Sequence, residues 1–495
     1  MVDLLLTHSY FLHFDPKEYR AMKPYPPLGT LYAASVLRNR GFSVALHDVM
    51  FDEREEEILP ALHHYQPRLV VIYDDQFNYL TKMCLSRMRT AAFRMTQLAK
   101  EHGCTVVIFS SDATDHLDQY FAHGADYVIC GEAEQTLTEL AEQLLHGTPE
   151  PIDSIHGLAY RRNGSFARTQ LRELVTHLDE LPFPAWDLVD IKRYRSIWKR
   201  RHGYFSLNLV TTRGCPFHCN WCAKPIYGQV YHSRSPENVV EEMKFLRQFA
   251  RPDHIWFADD IFGLKPGWVS TFDEVVNREN AQIPFKCLSR VDLLLKEDNI
   301  RHLKHAGCET VWVGAESGSQ KILDAMEKGT TVEQIYEATD LLKRIGIRVG
   351  FFLQFGYPGE TKEDIEKTLQ VVKECEPDEI GISVSYPLPG TKFYDRVKEQ
   401  LGEKQNWVDS QDLELMFAGK YHPDFYRALH RVVHKKFSVW RGMRTTKEIV
   451  QTPSRLTKRS LRNLASMVYH GATLPLELHR LHRFERLSVS YDHRS

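Results

Sequence analysis

At 495 residues the chain is too long for one ordinary domain and long enough for two or three. Its 43% hydrophobic, 26% charged and 11% aromatic residues suit a globular protein with ample core, and 63 Lys/Arg against 65 Asp/Glu exclude a polyelectrolyte. No apolar run reaches the ~18 residues of a membrane span, and the opening "MVDLLLTHSYFLHFD" lacks the basic region of a signal peptide. Nine cysteines without an export signal point to a reducing cytoplasm, where clustered thiols serve metal or redox chemistry.

Residues 1–150 alternate strand and helix signals. Short apolar runs predict buried parallel strands at 3–7, 43–47, 69–73, 105–109 and 126–130, with helices at 28–41 and 80–103 each ended by glycine. That order predicts an open doubly wound (Rossmann-like) sheet with its ligand at the strand C-terminal ends. Residues 151–196 hold a hairpin signal around Asn163-Gly164 and a Pro-rich linker, "LDELPFPAWDL" (178–188).

From 197 to 395 the alternation lengthens. Strands are expected at 206–212, 254–258, 284–288, 310–314, 348–354 and 379–385, separated by helices such as 236–250, 319–327, 333–345 and 361–374. Six β/α units predict a partial (β/α)6 barrel, whose reactive groups gather at the strand C-terminal ends. Residues 396–495 turn helical and basic, and 420–495 carry 16 Lys/Arg against 5 Asp/Glu. A solvated helical cap and a surface for a membrane or an anionic substrate are both open readings of this tail.

The chemistry is concentrated in "TTRGCPFHCNWCAKPIYG" (211–228), which sets Cys215, Cys219 and Cys222 in a CxxxCxxC just after the first barrel strand. Structural zinc wants four ligands, and His218 or His232 could supply the fourth. Three thiolates alone instead suit a [4Fe–4S] cluster with one iron left for a ligand that is not cysteine. Cys84, Cys104 and Cys130 form no second cluster motif and read as core thiols.

CxxxCxxC with an aromatic residue, Trp221, before the last cysteine, at the end of the first strand of a β/α barrel, resembles the radical S-adenosylmethionine superfamily. The resemblance implies an oxygen-sensitive enzyme in which S-adenosylmethionine chelates the open iron and is cleaved to a 5′-deoxyadenosyl radical. It also implies a flavodoxin- or ferredoxin-type electron donor. Asp259 and Asp260 in "FADDIFG" resemble the acidic motif near the methionine ammonium. Ser289 and Arg290 follow the third strand, and Glu316 and Ser317 resemble residues near the ribose and methionine. The resemblance assigns no hydrogen-abstracting or proton-transferring side chain.

A doubly wound domain before such a barrel resembles the class with an N-terminal cobalamin-binding domain, on "PYPPLGTLYAASVLRNRGFSVALHD" (24–48) and "DHLDQYFAHGADYVICGEAEQTLTELAEQL" (115–144). That class implies a corrinoid between sheet ends and barrel mouth, with Tyr73, Asp74, Asp75 and Gln76 beside either the corrin or the substrate. A DxHxxG motif is absent, and "FSSDATD" (109–115) places Ser110 and Ser111 where relatives carry small glycines. The implied reaction is methylation of an unactivated carbon in a small molecule. The alternatives are a non-methylating oxidative cyclase or rearranging enzyme, and a metal-binding structural or regulatory protein.

Overall fold

The computed structural model describes residues 1–147, 151–162 and 164–487. The first lobe is built on strands β1 (Leu4–Thr7), β2 (Val44–Leu46), β3 (Leu69–Tyr73), β4 (Thr105–Phe109) and β5 (Tyr127–Ile129), all parallel in the order 2-1-3-4-5. Alternation splits each strand between two cores. Leu4 and Leu6 pack under Ala33, Leu37 and Leu140, whereas Leu5, Val70 and Ile72 pack under Met95 and Leu98. In this order the crevice opens between β1 and β3, where the connections diverge to opposite faces.

Two differences from the sequence expectation have tertiary causes. The hairpin strands β6 (Leu158–Arg162) and β7 (Ser165–Arg168) join this sheet, β6 pairing antiparallel with β5. Asn163 of the expected turn lies outside the described residues. The helix expected over 80–103 is broken into Tyr79–Lys82 and Ser86–Glu101 by Cys84 at φ 52°. Carbonyls of Trp407 and Val408 accept from the Ser86 and Arg87 amides, satisfying the new helix N-terminus from a distant part of the chain.

The Pro-rich stretch is a wedge between the lobes. Trp186 is buried, its indole N–H donates to Glu242 Oε1 at 3.3 Å, and the Ala185 amide bonds Leu31 O.

The second sheet runs β8 (Ser206–Leu209), β11 (His254–Phe257), β12 (Phe285–Ser289), β13 (Cys308–Glu316), β14 (Arg348–Phe355) and β15 (Glu379–Val384). It pairs in chain order, all parallel, as a curled half-barrel, while β9 (Thr212–Arg213) and β10 (His232–Ser233) form a separate two-residue ladder. One set of side chains, including Phe257, Cys287, Val313 and Phe351, packs outward in the main core. Helices such as Pro236–Phe249, Val332–Arg344 and Lys362–Cys375 cover it, the last two opened by capping boxes.

The tail is a pair of long helices, Pro423–Gln451 and Lys458–Glu485. The first buries Phe425, Leu429, Val433 and Phe437 in the main core. The second packs on it where Gly442 lets Met467 approach, and among its described residues only Glu477 is buried. No helix among the described residues is long and apolar enough to cross a membrane.

Candidate active site

The cysteine loop is pinned at its entrance. Asp259, at the end of β11, accepts from the amides of Thr211 (2.7 Å) and Thr212 (2.8 Å) and from both hydroxyls (2.9 Å each). Burial still pushes this carboxyl up to about 6, against all four bonds. Gly214 follows at φ 81°, and a Cβ there would lie 2.3 Å from Val230 O, so glycine lets the two ends of the loop close together.

Its middle is pinned as firmly. Asn220 donates through Nδ2 to Ala325 O at 2.8 Å, accepts at Oδ1 from the Tyr357 hydroxyl at 2.8 Å, and exchanges backbone bonds with Met326 and Phe393. The three thiols are thereby held at the C-terminal end of β8, Cys215 and Cys219 buried and Cys222 half-buried. Burial raises the Cys215 thiol and pushes Cys222 up to about 12, so ionising them calls for local positive charge.

Cations stand beside them. Arg290 Nη1 lies 4.0 Å from Cys219 Sγ, with the guanidinium 3.6 Å from the centre of the Phe217 ring. Asp292 and the Lys328 carbonyl hold that guanidinium at 2.9 Å each. Lys328 pairs with Glu316 at 2.9 Å, both buried, where Glu316 sits at φ 55° in a slip of the β13–β14 register. A side chain on Gly314 would overlap this pair.

Other expected residues are placed differently. Ser289 is buried at the end of β12. Ser317 meets Thr368 Oγ1 at 3.1 Å, on the helix Lys362–Cys375. Asp260 is 41% exposed and paired with Lys82 at 2.7 Å. Trp221 is half-buried, and its indole N–H is buried with no partner among the described residues. His218 is exposed and His232 lies in the ladder at the base of the loop. Among the described residues no three His, Cys, Asp or Glu side chains converge on one metal ion. Thiolates that each meet a separate iron of a cube need not converge in that way. The donor set, the flanking cations and the unpaired Trp221 N–H therefore fit a thiolate-held cluster with a ligand beside it.

The first lobe closes onto this loop through Arg213, Glu132 and Glu134, which sequence reasoning missed, and through Gln76, which it named. Arg213, the residue before Gly214, is buried and paired with Glu132 and with Glu134 (2.7 Å), which follow β5. Gln76, after β3, donates to the Tyr227 hydroxyl at 2.9 Å, and its own Oε1 is buried without a partner. Asp75 turns back to accept from the amides of Leu28 and Gly29, and Asp74 accepts from Ser9. Of the four residues expected beside a ligand here, Gln76 is the one that reaches the barrel. A small, partly open pocket lies at this junction, lined by Gln76, Lys82, Gly214, Lys224, Tyr227 and Asp260. "FSSDATD" is closed on itself, since Ser110 caps the following helix and Asp112 is held by Arg89 and Tyr120. The adjacency of "GEAEQ" to β5 and of Arg213 to Gly-Cys were the available signals; nothing in the spacing marked Lys328.

Residues 209–372 match the family model described as Radical SAM superfamily. The half-barrel is therefore a radical S-adenosylmethionine domain and the protein an enzyme, with a [4Fe–4S] cluster and S-adenosylmethionine as the cofactors that domain implies. Over 455 residues the chain is 26% identical to an uncharacterized methyltransferase of Pyrococcus horikoshii, covering 90% of this chain and 95% of the relative. It is 26% identical over 456 residues to the hopanoid C-3 methylase of Methylococcus capsulatus, covering 89% and 83%. Its fold is similar to that of the cobalamin-dependent S-adenosylmethionine radical enzyme OxsB, solved with aqua-cobalamin and S-adenosylmethionine bound, at TM-score 0.70 and 19% identity over 99% of this chain and 76% of that one.

Proposed function

We propose that the protein methylates an unactivated carbon of a small molecule, with Cys215, Cys219 and Cys222 holding the cluster and a corrinoid seated between the two sheet edges. When bound, the cluster supplies the electron that cleaves S-adenosylmethionine to a 5′-deoxyadenosyl radical, and the corrinoid supplies the methyl group. The observation that carries this reading is the closure of two C-terminal sheet edges over one thiol loop through Arg213, Gln76 and Lys82. Around the cluster, Arg290 and Lys328 offset thiolate charge, and Glu316 and the Trp221 N–H offer polar contacts to S-adenosylmethionine. On the corrinoid side, Gln76 and Tyr227, bonded to each other at 2.9 Å, line the junction pocket with an amide and a hydroxyl. The boundaries that fit these roles are 1–150 for the corrinoid lobe, 151–196 for hairpin and wedge, 197–395 for the half-barrel and 396–495 for the helical tail.

Reduction calls for a flavodoxin- or ferredoxin-type donor in a reducing cytoplasm. The outer helix Lys458–Glu485 offers a surface for peripheral membrane contact. It exposes Leu461, Val468 and Leu476, while its two carboxylates are taken up by Arg431 and Arg480 (Glu477) and by Lys362 (Glu485). The test is anaerobic reconstitution with iron, sulfide and methylcobalamin, following 5′-deoxyadenosine and S-adenosylhomocysteine together. Both should form, with substrate mass rising by one methylene. Formation of 5′-deoxyadenosine alone would move the assignment to a cyclase or rearranging enzyme, and failure to form a cluster would move it to a structural metal protein.

A further inference from the structure

The inner wall of the half-barrel carries a group that the cluster chemistry does not use. Side chains pointing inward alternate with the core set, so β11 presents Trp256, β12 Lys286 and Leu288, β13 Trp312 and β14 Phe352. Unlike their outward neighbours, these are half-buried, and Phe352 is 38% exposed, an open aromatic wall. Two glycines make it. A Cβ on Gly350 would lie 2.4 Å from the Trp312 indole, and one on Gly381 would lie 3.3 Å from both Trp312 and Phe352. With those positions bare, the two rings lie 4.7 Å apart against the sheet and leave the lumen free.

Lys286 stands at the deep end, opposite the cysteine loop. Its ammonium lies 4.9 Å from the Trp256 ring centre and 5.5 Å from that of Tyr25, which enters from the segment before the first long helix. Among the described residues no carboxylate lies within ion-pair distance of it; Glu379 and Glu18 act only from further off, and Arg348 opposes them. Burial lowers the ammonium to about 8, which leaves it mostly charged at neutral pH. A half-buried cation with only ring faces for partners lacks a counter-ion, and an anion would complete the site.

We propose that the lumen is the substrate chamber and that it takes an apolar, ring-bearing molecule ending in a carboxylate or phosphate, the anion on Lys286 and the body on Trp312 and Phe352. This rests on the radical reading for its reactive end. Four residues at about 3.3 Å each separate Lys286 from Arg290 along β12, so the carbon presented to the cluster end lies about 13 Å from the anionic group. Lys286 and the two rings are positioning and specificity residues.

The test is equilibrium binding to the reconstituted protein, read as tryptophan-to-pyrene energy transfer, with 1-pyrenebutyrate, 1-pyrenebutyl phosphate and neutral 1-pyrenebutanol as probes. At least one anionic probe should bind about tenfold more tightly than the alcohol, and the tighter of the two identifies the anion. Lys286→Gln should erase that preference and Lys286→Arg restore it, which separates charge recognition from a folding defect. Gly381→Val, which fills the chamber, should weaken all three probes together. Equal affinity for alcohol and anions in the wild type, an unchanged preference in Lys286→Gln, or no saturable binding would overturn the proposal. Binding is read without S-adenosylmethionine cleavage, so failure of the radical reading would appear separately, as absence of 5′-deoxyadenosine from the wild type.

Discussion

At the C-terminal edge of the first sheet, polar side chains are largely spent on their own lobe: Asp74 on Ser9, Asp75 on the Leu28–Asn39 helix, Asp112 on Arg89 and Tyr120. At the same edge of the half-barrel, three thiols and the Trp221 N–H gather with few protein partners of their own, beside an Arg290 held by Asp292 and the Lys328 carbonyl. The first edge is a platform whose carboxylates are consumed, and the second keeps its thiols for something else to complete. Unpaired buried polar groups are expensive, and both edges retain some, Tyr73 Oη and Gln76 Oε1 on the first and the Trp221 N–H on the second, so the junction between them marks where ligands would bind.

The largest test removes the completed side. Cys219→Ala should abolish cluster assembly and S-adenosylmethionine cleavage while the melting temperature stays near wild type; cleavage at the wild-type rate would end the contrast between the edges. Next is the bond joining them. Arg213→Met leaves Glu132 and Glu134 buried without their cation and should cost about 3–5 kcal/mol in denaturant unfolding. A loss below 1 kcal/mol would mean the lobes do not depend on it.

Gly214→Ala should cost at least about 1–2 kcal/mol through its left-handed backbone alone, and more through Val230 O, with iron content falling in parallel. A variant with full iron content would show that the loop closes another way.

A smaller effect concerns pH. Glu360, in the turn after β14, is buried with one oxygen unpaired, and burial pushes it from 4.5 up to about 8. The folded state holds this proton longer than the unfolded one, so the contribution of Glu360 to stability is greatest below pH 4.5 and declines as pH rises to about 8. Glu360→Gln should flatten that decline, measured as unfolding free energy against pH; an unchanged slope would assign it to other groups. The smallest change is expected from Lys82→Met. Its partner Asp260 is well exposed, so stability should move by less than about 1 kcal/mol. A larger shift would make this bridge part of the platform.

Much of this was legible in the chain. All eleven parallel strands lie where short apolar runs predict them, because the first sheet is buried on both faces and the half-barrel packs its helix side in the main core. The thiol triad was legible because its spacing is local. The partners of Asp259, Asn220 and Arg213 were not, since each of their side-chain bonds spans 47 to 137 residues. Lys328 was unmarked because a lysine in a helix–helix connection ordinarily points to water, and only the fold turns it onto Glu316.

By itself, then, the sequence determined the alternation of strand and helix, the two-sheet plan and the three thiols, all properties of residues near one another in the chain. Tertiary structure decided which carboxylates are consumed and which cations face the thiols, and it cleared the lumen at Gly350 and Gly381. Those outcomes depend on strands far apart in sequence being brought side by side in register, and no local pattern encodes that register.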